Sequence, residues 1–215
     1  MQLYGRGIRR RAAPMLGDSR RLQLAYSLVL SLPGTPVLRY GDEIGMGEDL
    51  RLKERNAIRT PMQWSARRNA GFSTAERLVR PVVARGPYGF DRVNVEEQQR
   101  QNDSLLRWTM RMIQLRKQCP EIGWGEWRLV PAGSSSVLAL EHRGRGNAVV
   151  CVHNLAPDVR DATLRIGGGT LVDLRHPEEL PSDGSGTHHV ALDPYGYRWF
   201  RRGEISQALA RDRER

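Results

Sequence analysis

The sequence predicts two structural classes in succession, an α/β part followed by an all-β part. Residues 1–120 alternate helical and strand-like segments: an apolar helix at residues 22–32, a short strand at residues 36–40 and a second helix after residue 104. From Trp127 onward, short strand-like apolar runs alternate with turns rich in Gly, Pro, Asn and Asp. This pattern is typical of antiparallel strands. We therefore expect a small antiparallel β-sandwich in the second part.

The first helix is predicted by its nearly continuous apolar composition, which requires burial on several sides. Asp18 or Ser19 can cap its first turn. Pro33-Gly34 ends it, because proline lacks an amide donor and glycine admits a positive φ. The apolar run at residues 22–32 is far shorter than the roughly 20 residues that span a bilayer. We therefore predict a buried helix and not a membrane span.

Two carboxylates follow the predicted strand directly. Residues 36–40 are rich in strand formers, and Asp42 and Glu43 come next. In α/β barrel enzymes, functional side chains lie at the carboxyl ends of strands, so both are candidate substrate ligands. The alternative is that they are structural acceptors that close the junction between strand and loop. Residues 44–101 then show few periodic apolar positions, which predicts a long loop, and such loops are usually functional.

The second helix is predicted by good capping residues at positions 102–104, followed by apolar residues at helical spacing from Leu105 to Leu115. Cys119-Pro120 ends it. The change from helical to strand-like spacing of the apolar residues predicts the domain boundaries. We expect the α/β part at residues 1–120, the β-sandwich at residues 121–203 and a charged tail at residues 204–215.

Longer motifs are distributed along nearly the whole chain. They are Gly7-Ile-Arg-Arg-Arg11, the run from Pro33 to Met46, Arg55-Asn-Ala-Ile-Arg-Thr-Pro-Met-Gln-Trp64, Asn69-Ala-Gly-Phe72, Pro87-Tyr-Gly-Phe90, Val93-Asn-Val-Glu-Glu-Gln-Gln99 and Pro194-Tyr-Gly-Tyr-Arg-Trp-Phe200. Together they resemble the alpha-amylase family of glycoside hydrolases, in its trehalose synthase and alpha-glucosidase-like branch. The resemblance implies that the first part is the last helix-strand-helix portion of a (β/α)8 TIM barrel.

The resemblance also implies a function. The chain is similar to the C-terminal fragment of an enzyme that hydrolyses, isomerises or transfers α-glucosidic bonds, with maltose, trehalose or an oligosaccharide as substrate. Retaining enzymes need a carboxylate nucleophile and a carboxylic acid about 5 Å apart, and the resemblance places both before Gly7. We therefore expect no catalytic residue here, no activity of the chain alone, and an N-terminal barrel part encoded separately. A non-catalytic carbohydrate-binding or docking module is the alternative.

The resemblance places Arg59 near the glucose site, where a guanidinium can hold a carboxylate or hydroxyl groups. An ion pair with Asp49 or Glu54 that pins the loop is the alternative. Trp64 either stacks on a sugar ring or packs against its neighbours. The predicted substrate-binding residues are Arg59, Gln63, Asp42 and Glu43.

The formal charge of +10 raises a third class, a basic nucleic-acid-associated protein. The arginines are scattered through every segment, however, and no nucleic-acid-binding motif accompanies them. We interpret them as solvated faces.

Histidines and cysteines indicate no metal site and no cofactor. In a strand, His188 and His189 lie on opposite faces and cannot easily share one ion. Cys119 and Cys151 are too isolated for a disulfide framework or a zinc site. Because residues 1–21 lack a signal peptide, we predict a cytoplasmic, reduced location.

Overall fold

The computed structural model describes residues 7–144 and 146–202, which form two compact units. Unit 1 contains residues 7–26 and 37–113, and unit 2 contains residues 27–36 together with the described residues from 114 to 202. The predicted tail at residues 204–215 lies outside the described residues. The boundary predicted between residues 120 and 121 stays a prediction.

The described part of the chain contains five α-helices: α1 (Ala12–Leu16), α2 (Ser19–Ser31), α3 (Val95–Arg100), α4 (Leu105–Lys117) and α5 (Pro120–Trp124). Helix α2 contains the predicted apolar run. The carboxylate of Asp18 caps it, since Oδ1 accepts the backbone N–H groups of Arg20 at 2.6 Å and Arg21 at 3.2 Å. The helix ends before Gly34, whose φ is 98°. The predicted caps and ends of this helix are therefore confirmed.

The strand predicted at residues 36–40 does not form. This segment makes no β-ladder with any other described segment, and a strand requires hydrogen bonds to a neighbouring strand. Its last residue is held in other ways. The carbonyl oxygen of Tyr40 accepts from Arg11 Nη1 at 2.9 Å, and the Tyr40 hydroxyl donates to the carbonyl oxygen of Thr60 at 2.9 Å.

The segment predicted as a long loop contains short helical turns. Three are 3-10 helices, at Asp42–Ile44, Glu54–Ile58 and Arg68–Gly71. Helix α3 is capped by Asn94, whose side chain accepts from the backbone N–H of Glu97 at 2.8 Å. A small apolar cluster stabilises this region; it is built from Ile44, Met46, Met62, Val93, Val95 and Leu106.

Helix α4 begins where its capping residues predict. The hydroxyl oxygen of Ser104 accepts from the backbone N–H of Arg107 at 3.3 Å. The helix ends at Lys117, close to the predicted end. Pro120 then begins α5, at a position where its missing N–H costs no hydrogen bond.

The predicted antiparallel β-sandwich is confirmed. Its strands are β1 (Glu126–Val130), β2 (Val137–Arg143), β3 (Ala148–Asn154), β4 (Arg160–Arg165), β5 (Thr170–Asp173), β6 (Glu179–Pro181), β7 (Thr187–Leu192) and β8 (Tyr197–Arg202). One sheet has the order β1-β2-β3-β8-β5-β6, the other pairs β4 with β7, and all neighbours are antiparallel. Side chains from both sheets meet in one core, among them Val150, Phe200, Leu164 and Val190.

A buried polar contact in unit 2 joins the end of α2 to the large sheet. The indole N–H of Trp199 donates to Oγ of Ser27 at 3.0 Å. Nε2 of His153 lies 3.0 Å from the same hydroxyl oxygen and 3.4 Å from Oγ of Ser31. All four residues are buried. Burial lowers the pKa of His153 to about 3, so its imidazole is neutral.

The paired histidines of β7 lie on opposite faces, as predicted. His188 is buried, and its two ring nitrogens lie 3.2 Å from the carbonyl oxygens of Leu180 and Gly167. His189 is exposed. Among residues 7–144 and 146–202, no helix has both the length and the apolar character needed to cross a bilayer.

Candidate functional site

A surface cavity of about 690 Å³ lies in unit 1 and is lined by residues between positions 40 and 80. Its wall includes three aromatic side chains, those of Tyr40, Trp64 and Phe72, each about half exposed. Glu43 and Arg59, two of the predicted ligands, line the same cavity. A mainly apolar wall with a few polar groups is typical of small-molecule sites.

Arg59 directly follows the 3-10 helix Glu54–Ile58, and its side chain is exposed. Neither of the ion pairs considered for it forms. Asp49 is bound instead by Arg51, whose Nε and Nη2 lie 2.8 and 2.7 Å from its carboxylate oxygens; these hydrogen bonds hold the pKa of Asp49 below its usual value. Within the described part of the chain, no acidic side chain pairs with Arg59. Its guanidinium therefore remains available to a ligand.

Glu43 lies in a tight turn whose geometry requires glycine. Gly41 has a φ of 84°, and a Cβ atom there would lie 2.3 Å from Sδ of Met46. On the other side of Glu43, Ile44 is buried in the small apolar cluster. The turn is therefore anchored at both ends, with the Glu43 side chain at the cavity wall.

Asp42 is not among the residues that line the cavity. Its Oδ1 accepts from Nη1 of the buried Arg11 at 2.9 Å. Nη2 of the same guanidinium donates to the carbonyl oxygen of Ile58 at 3.0 Å. Arg11 therefore connects the turn that carries Glu43 to the residue that precedes Arg59.

Tyr26 supports the same turn from helix α2. Its hydroxyl donates to the carbonyl oxygen of Asp42 at 3.0 Å, and its ring lies 6.4 Å from that of Trp108. Burial, with a smaller contribution from the charge of Asp42, raises the pKa of Tyr26 above its usual value. The phenol therefore stays protonated and can serve as a permanent donor.

Gln63 also lies outside the cavity lining. It is fully buried, and its Nε2 donates to the carbonyl oxygens of Tyr88, at 3.2 Å, and of Val93. Its Oε1 has no hydrogen-bond partner within the described ranges. Of the four predicted ligands, Glu43 and Arg59 line the cavity, whereas Asp42 and Gln63 lie outside its lining and are hydrogen-bonded within the protein.

Several contributors to this site are not evident from the sequence. Tyr40 lies in the strand-like segment and Phe72 in the motif Asn69-Ala-Gly-Phe72, and neither pattern marks a cavity wall. Arg11 was interpreted as part of a solvated basic run, yet it is 2% exposed. Local composition does not separate Arg11 from the exposed Arg9 and Arg10, because its burial depends on acceptors about 30 to 50 residues away in the chain.

Family comparisons cover both the helices and long loop of unit 1 and the β-sandwich of unit 2. Residues 9–125 match the alpha amylase catalytic domain, and residues 146–201 match the sucrose hydrolase-like C-terminal domain. The first match covers more than half of the chain. This chain belongs to the alpha-amylase family.

Individual relatives agree with this assignment. The chain is 41% identical over 205 residues to a trehalose synthase from Pimelobacter sp. and 41% identical over 209 residues to a trehalose synthase/amylase from Mycolicibacterium smegmatis. These alignments cover 91% and 90% of this chain but only 36% and 35% of the relatives. The chain thus spans about a third of the length of the relatives it matches.

A comparison of folds gives the same result. A trehalose-6-phosphate hydrolase from Bacillus licheniformis superimposes with a TM-score of 0.69 at 20% identity. The match covers 91% of this chain and 41% of the hydrolase. The fold is therefore that of a portion of an alpha-amylase-family enzyme, in agreement with the predicted TIM-barrel fragment followed by a β-domain.

Proposed function

We propose that this chain supplies one wall of the substrate site of an enzyme that acts on α-glucosidic bonds, of the trehalose synthase or alpha-glucosidase type. The substrate is maltose, trehalose or a short oligosaccharide. The observation that carries this proposal is the cavity in which Glu43, Arg59 and Trp64 occur together.

The chemistry of the cavity suits a sugar ring. A pyranose has an apolar face, which packs on aromatic rings such as Trp64, and an edge of hydroxyl groups. The carboxylate of Glu43 can accept hydrogen bonds from these hydroxyls, and the guanidinium of Arg59 can donate to them. In this proposal Asp42 and Gln63 act indirectly, because their hydrogen bonds fix the backbone next to the two ligands.

The proposal assigns no bond-breaking step to these residues. A retaining mechanism requires a nucleophile and an acid about 5 Å apart, which the resemblance assigns to other barrel strands. We propose that an N-terminal barrel part supplies them, that residues 1–120 complete that barrel and that residues 121–203 form the β-domain. A cytoplasmic site of action suits the two buried, free thiols of Cys119 and Cys151.

The decisive experiment adds the barrel portion of the Pimelobacter trehalose synthase that precedes the matched region to the N-terminal side of this chain. The fusion should convert maltose, whereas the chain alone should not turn over maltose, trehalose, sucrose or starch. A fusion that folds cooperatively, binds maltose and remains inactive would instead favour the non-catalytic carbohydrate-binding module. Activity of the chain alone that survives repurification would refute the proposal.

A further inference from the structure

The residues at positions 69–71 form a strained turn that the proposed function does not explain. Asn69 and Ala70 have φ values of 56° and 57° and are therefore left-handed, as is Gly71 with a φ of 68°. Consecutive left-handed residues other than glycine are unfavourable, because Cβ crowds the backbone. Such strain persists only where surrounding contacts impose it, and it concentrates at functional sites. The hydrogen bonds of this turn show which residues it fixes.

The turn fixes the backbone of Trp64. The carbonyl oxygen of Ala70 accepts from the backbone N–H groups of Trp64 at 2.9 Å and Ser65 at 3.0 Å. On its other side, the carbonyl oxygen of Trp64 accepts from the N–H of Glu96 at 2.9 Å, at the start of α3. Both backbone polar groups of Trp64 are therefore occupied, while its indole ring is half exposed at the cavity wall.

The side chain of Asn69 closes the turn. Its Nδ2 donates to the carbonyl oxygens of Ser73 at 3.1 Å and Ala75 at 2.8 Å. The backbone carbonyl oxygen of Asn69 separately accepts from the N–H of Phe72 at 3.0 Å. Ser73, Ala75 and Phe72 all line the cavity. The Asn69 side chain therefore holds the wall segment that contains Ser73 and Ala75 next to the turn that fixes Trp64.

The turn also excludes larger residues. A Cβ atom at Gly71 would lie 2.5 Å from Oγ of Ser65, and Ala70 is fully buried. Asparagine tolerates the left-handed region better than most residues. The residue types at these positions are therefore those that permit this geometry.

We propose that the turn at residues 69–71 is a positioning element that sets the distance and angle between Trp64 and Phe72, and thereby determines which sugar ring fits between them. This inference rests on the proposed function. Asn69 is a positioning residue in it, since it lines no part of the cavity itself.

The test uses the full chain labelled with 5-fluorotryptophan and observed by fluorine NMR. The variant Trp64→Phe assigns the Trp64 signal among those of the five tryptophans. Asn69→Asp keeps the size of the side chain and its tolerance of the left-handed region but removes both amide donors. Asn102→Asp is the matched control, because Asn102 is exposed and its side chain is not part of the cavity.

In Asn69→Asp, the Trp64 signal should shift or broaden while the signal of Trp199 in unit 2 stays unchanged. Maltose affinity, measured from the Trp64 shift, should weaken about fivefold, which corresponds to one net hydrogen bond. Asn102→Asp should change neither. An unchanged Trp64 signal with unchanged affinity, even with a lower unfolding midpoint, would overturn the proposal, because the turn would then only stabilise the fold.

A second variant, Asn69→Gly, and a maltose titration of the unmodified protein complete the test. If Asn69→Asp does not fold, Asn69→Gly adopts the left-handed turn without strain and still lacks the amide; the same change in the Trp64 signal is then required. If maltose moves the Trp64 signal neither in the unmodified chain nor in its fusion with the Pimelobacter barrel portion, the proposed function fails. The Trp64 signal of the Asn69 variants still decides whether the turn positions that ring, and an unchanged signal refutes it.

Discussion

Arg11 Nη1 donates to Oδ1 of Asp42 at 2.9 Å, and this ion pair lies at the junction of the segments that form the cavity. The Arg11 side chain is 1% exposed and that of Asp42 19% exposed, so the pair is poorly screened by water. The same guanidinium also binds two backbone carbonyl oxygens, those of Tyr40 and Ile58. Arg11 therefore connects its own segment to the turn at residues 40–42 and to Ile58 with a single side chain.

Replacing Arg11 should destabilise unit 1 strongly. Arg11→Met leaves the Asp42 carboxylate and two carbonyl groups without their donor, and removing one partner of a buried pair costs about 3 kcal/mol. Urea unfolding followed by circular dichroism measures the change. Arg100→Met is the matched control, since Arg100 and its partner Glu96 are both exposed in their ion pair and such pairs contribute less than about 1 kcal/mol. Equal losses in both variants would contradict the role assigned to Arg11.

Arg59 should affect catalysis more than stability. In the fusion with the Pimelobacter barrel portion, Arg59→Lys should lower kcat/KM for maltose at least about tenfold, because lysine cannot reproduce a bidentate contact. The unfolding midpoint should remain unchanged, since Arg59 has no ion-pair partner among residues 7–144 and 146–202. Full activity with a lowered midpoint would show that Arg59 pins its loop instead.

His153 should make the stability of unit 2 dependent on pH. Burial lowers its folded pKa to about 3, below the usual value of about 6.5. The folded state therefore favours neutral His153, and its stability is fully present above pH 6.5 and decreases as the pH falls toward 3. The slope from this one group is about 1.4 kcal/mol per pH unit.

His153→Gln should reduce that slope, as measured by urea unfolding at a series of pH values between 6.5 and 4. The slope should not vanish, because burial also lowers the pKa of His142. His189→Gln, a change at an exposed histidine, should leave it unaffected. An unchanged slope in His153→Gln would mean that water reaches this imidazole in the folded state.

Trypsin should cut the cavity loop first. Arg77 is exposed and Val79 fully so, in a segment with no regular hydrogen-bonded structure, and such loops open at low free-energy cost. Mass spectrometry of early digests should show cleavage after Arg77, whereas Arg165, which is also exposed but held in β4, should resist. Maltose should slow the cleavage after Arg77. Cleavage at Arg165 first would contradict this order.

The sequence predicted the parts of the fold that local patterns encode. Strands β2 and β3 follow from short apolar runs bounded by turn residues, and α4 follows from its caps. Strand β1 was not predicted: its sequence Glu126–Val130 is short, and four of its five residues are exposed, so burial does not select it. The segment at residues 36–40 has the composition of a strand, but composition does not supply a hydrogen-bonding partner.

The site was less predictable than the fold. Glu43 and Arg59 were found through their position after a strand-like segment and through family resemblance. Tyr40 and Phe72 were not predicted, because they line the same cavity only when the long loop folds back on itself. Gln63 has the same polar composition as a ligand, and only its burial shows that it binds backbone carbonyls.

The contact of Ser27 with His153 and Trp199 has a consequence for hybrid enzymes. Helix α2 contributes its first residues to unit 1 and the residues from Ser27 onward to unit 2. An exchange of C-terminal domains with a relative at a single crossover near residue 120 would combine one parent's serine with the other parent's sheet. Successful hybrids should instead carry three crossovers, at the unit boundaries near residues 26, 36 and 113, so that Ser27, His153 and Trp199 come from the same parent.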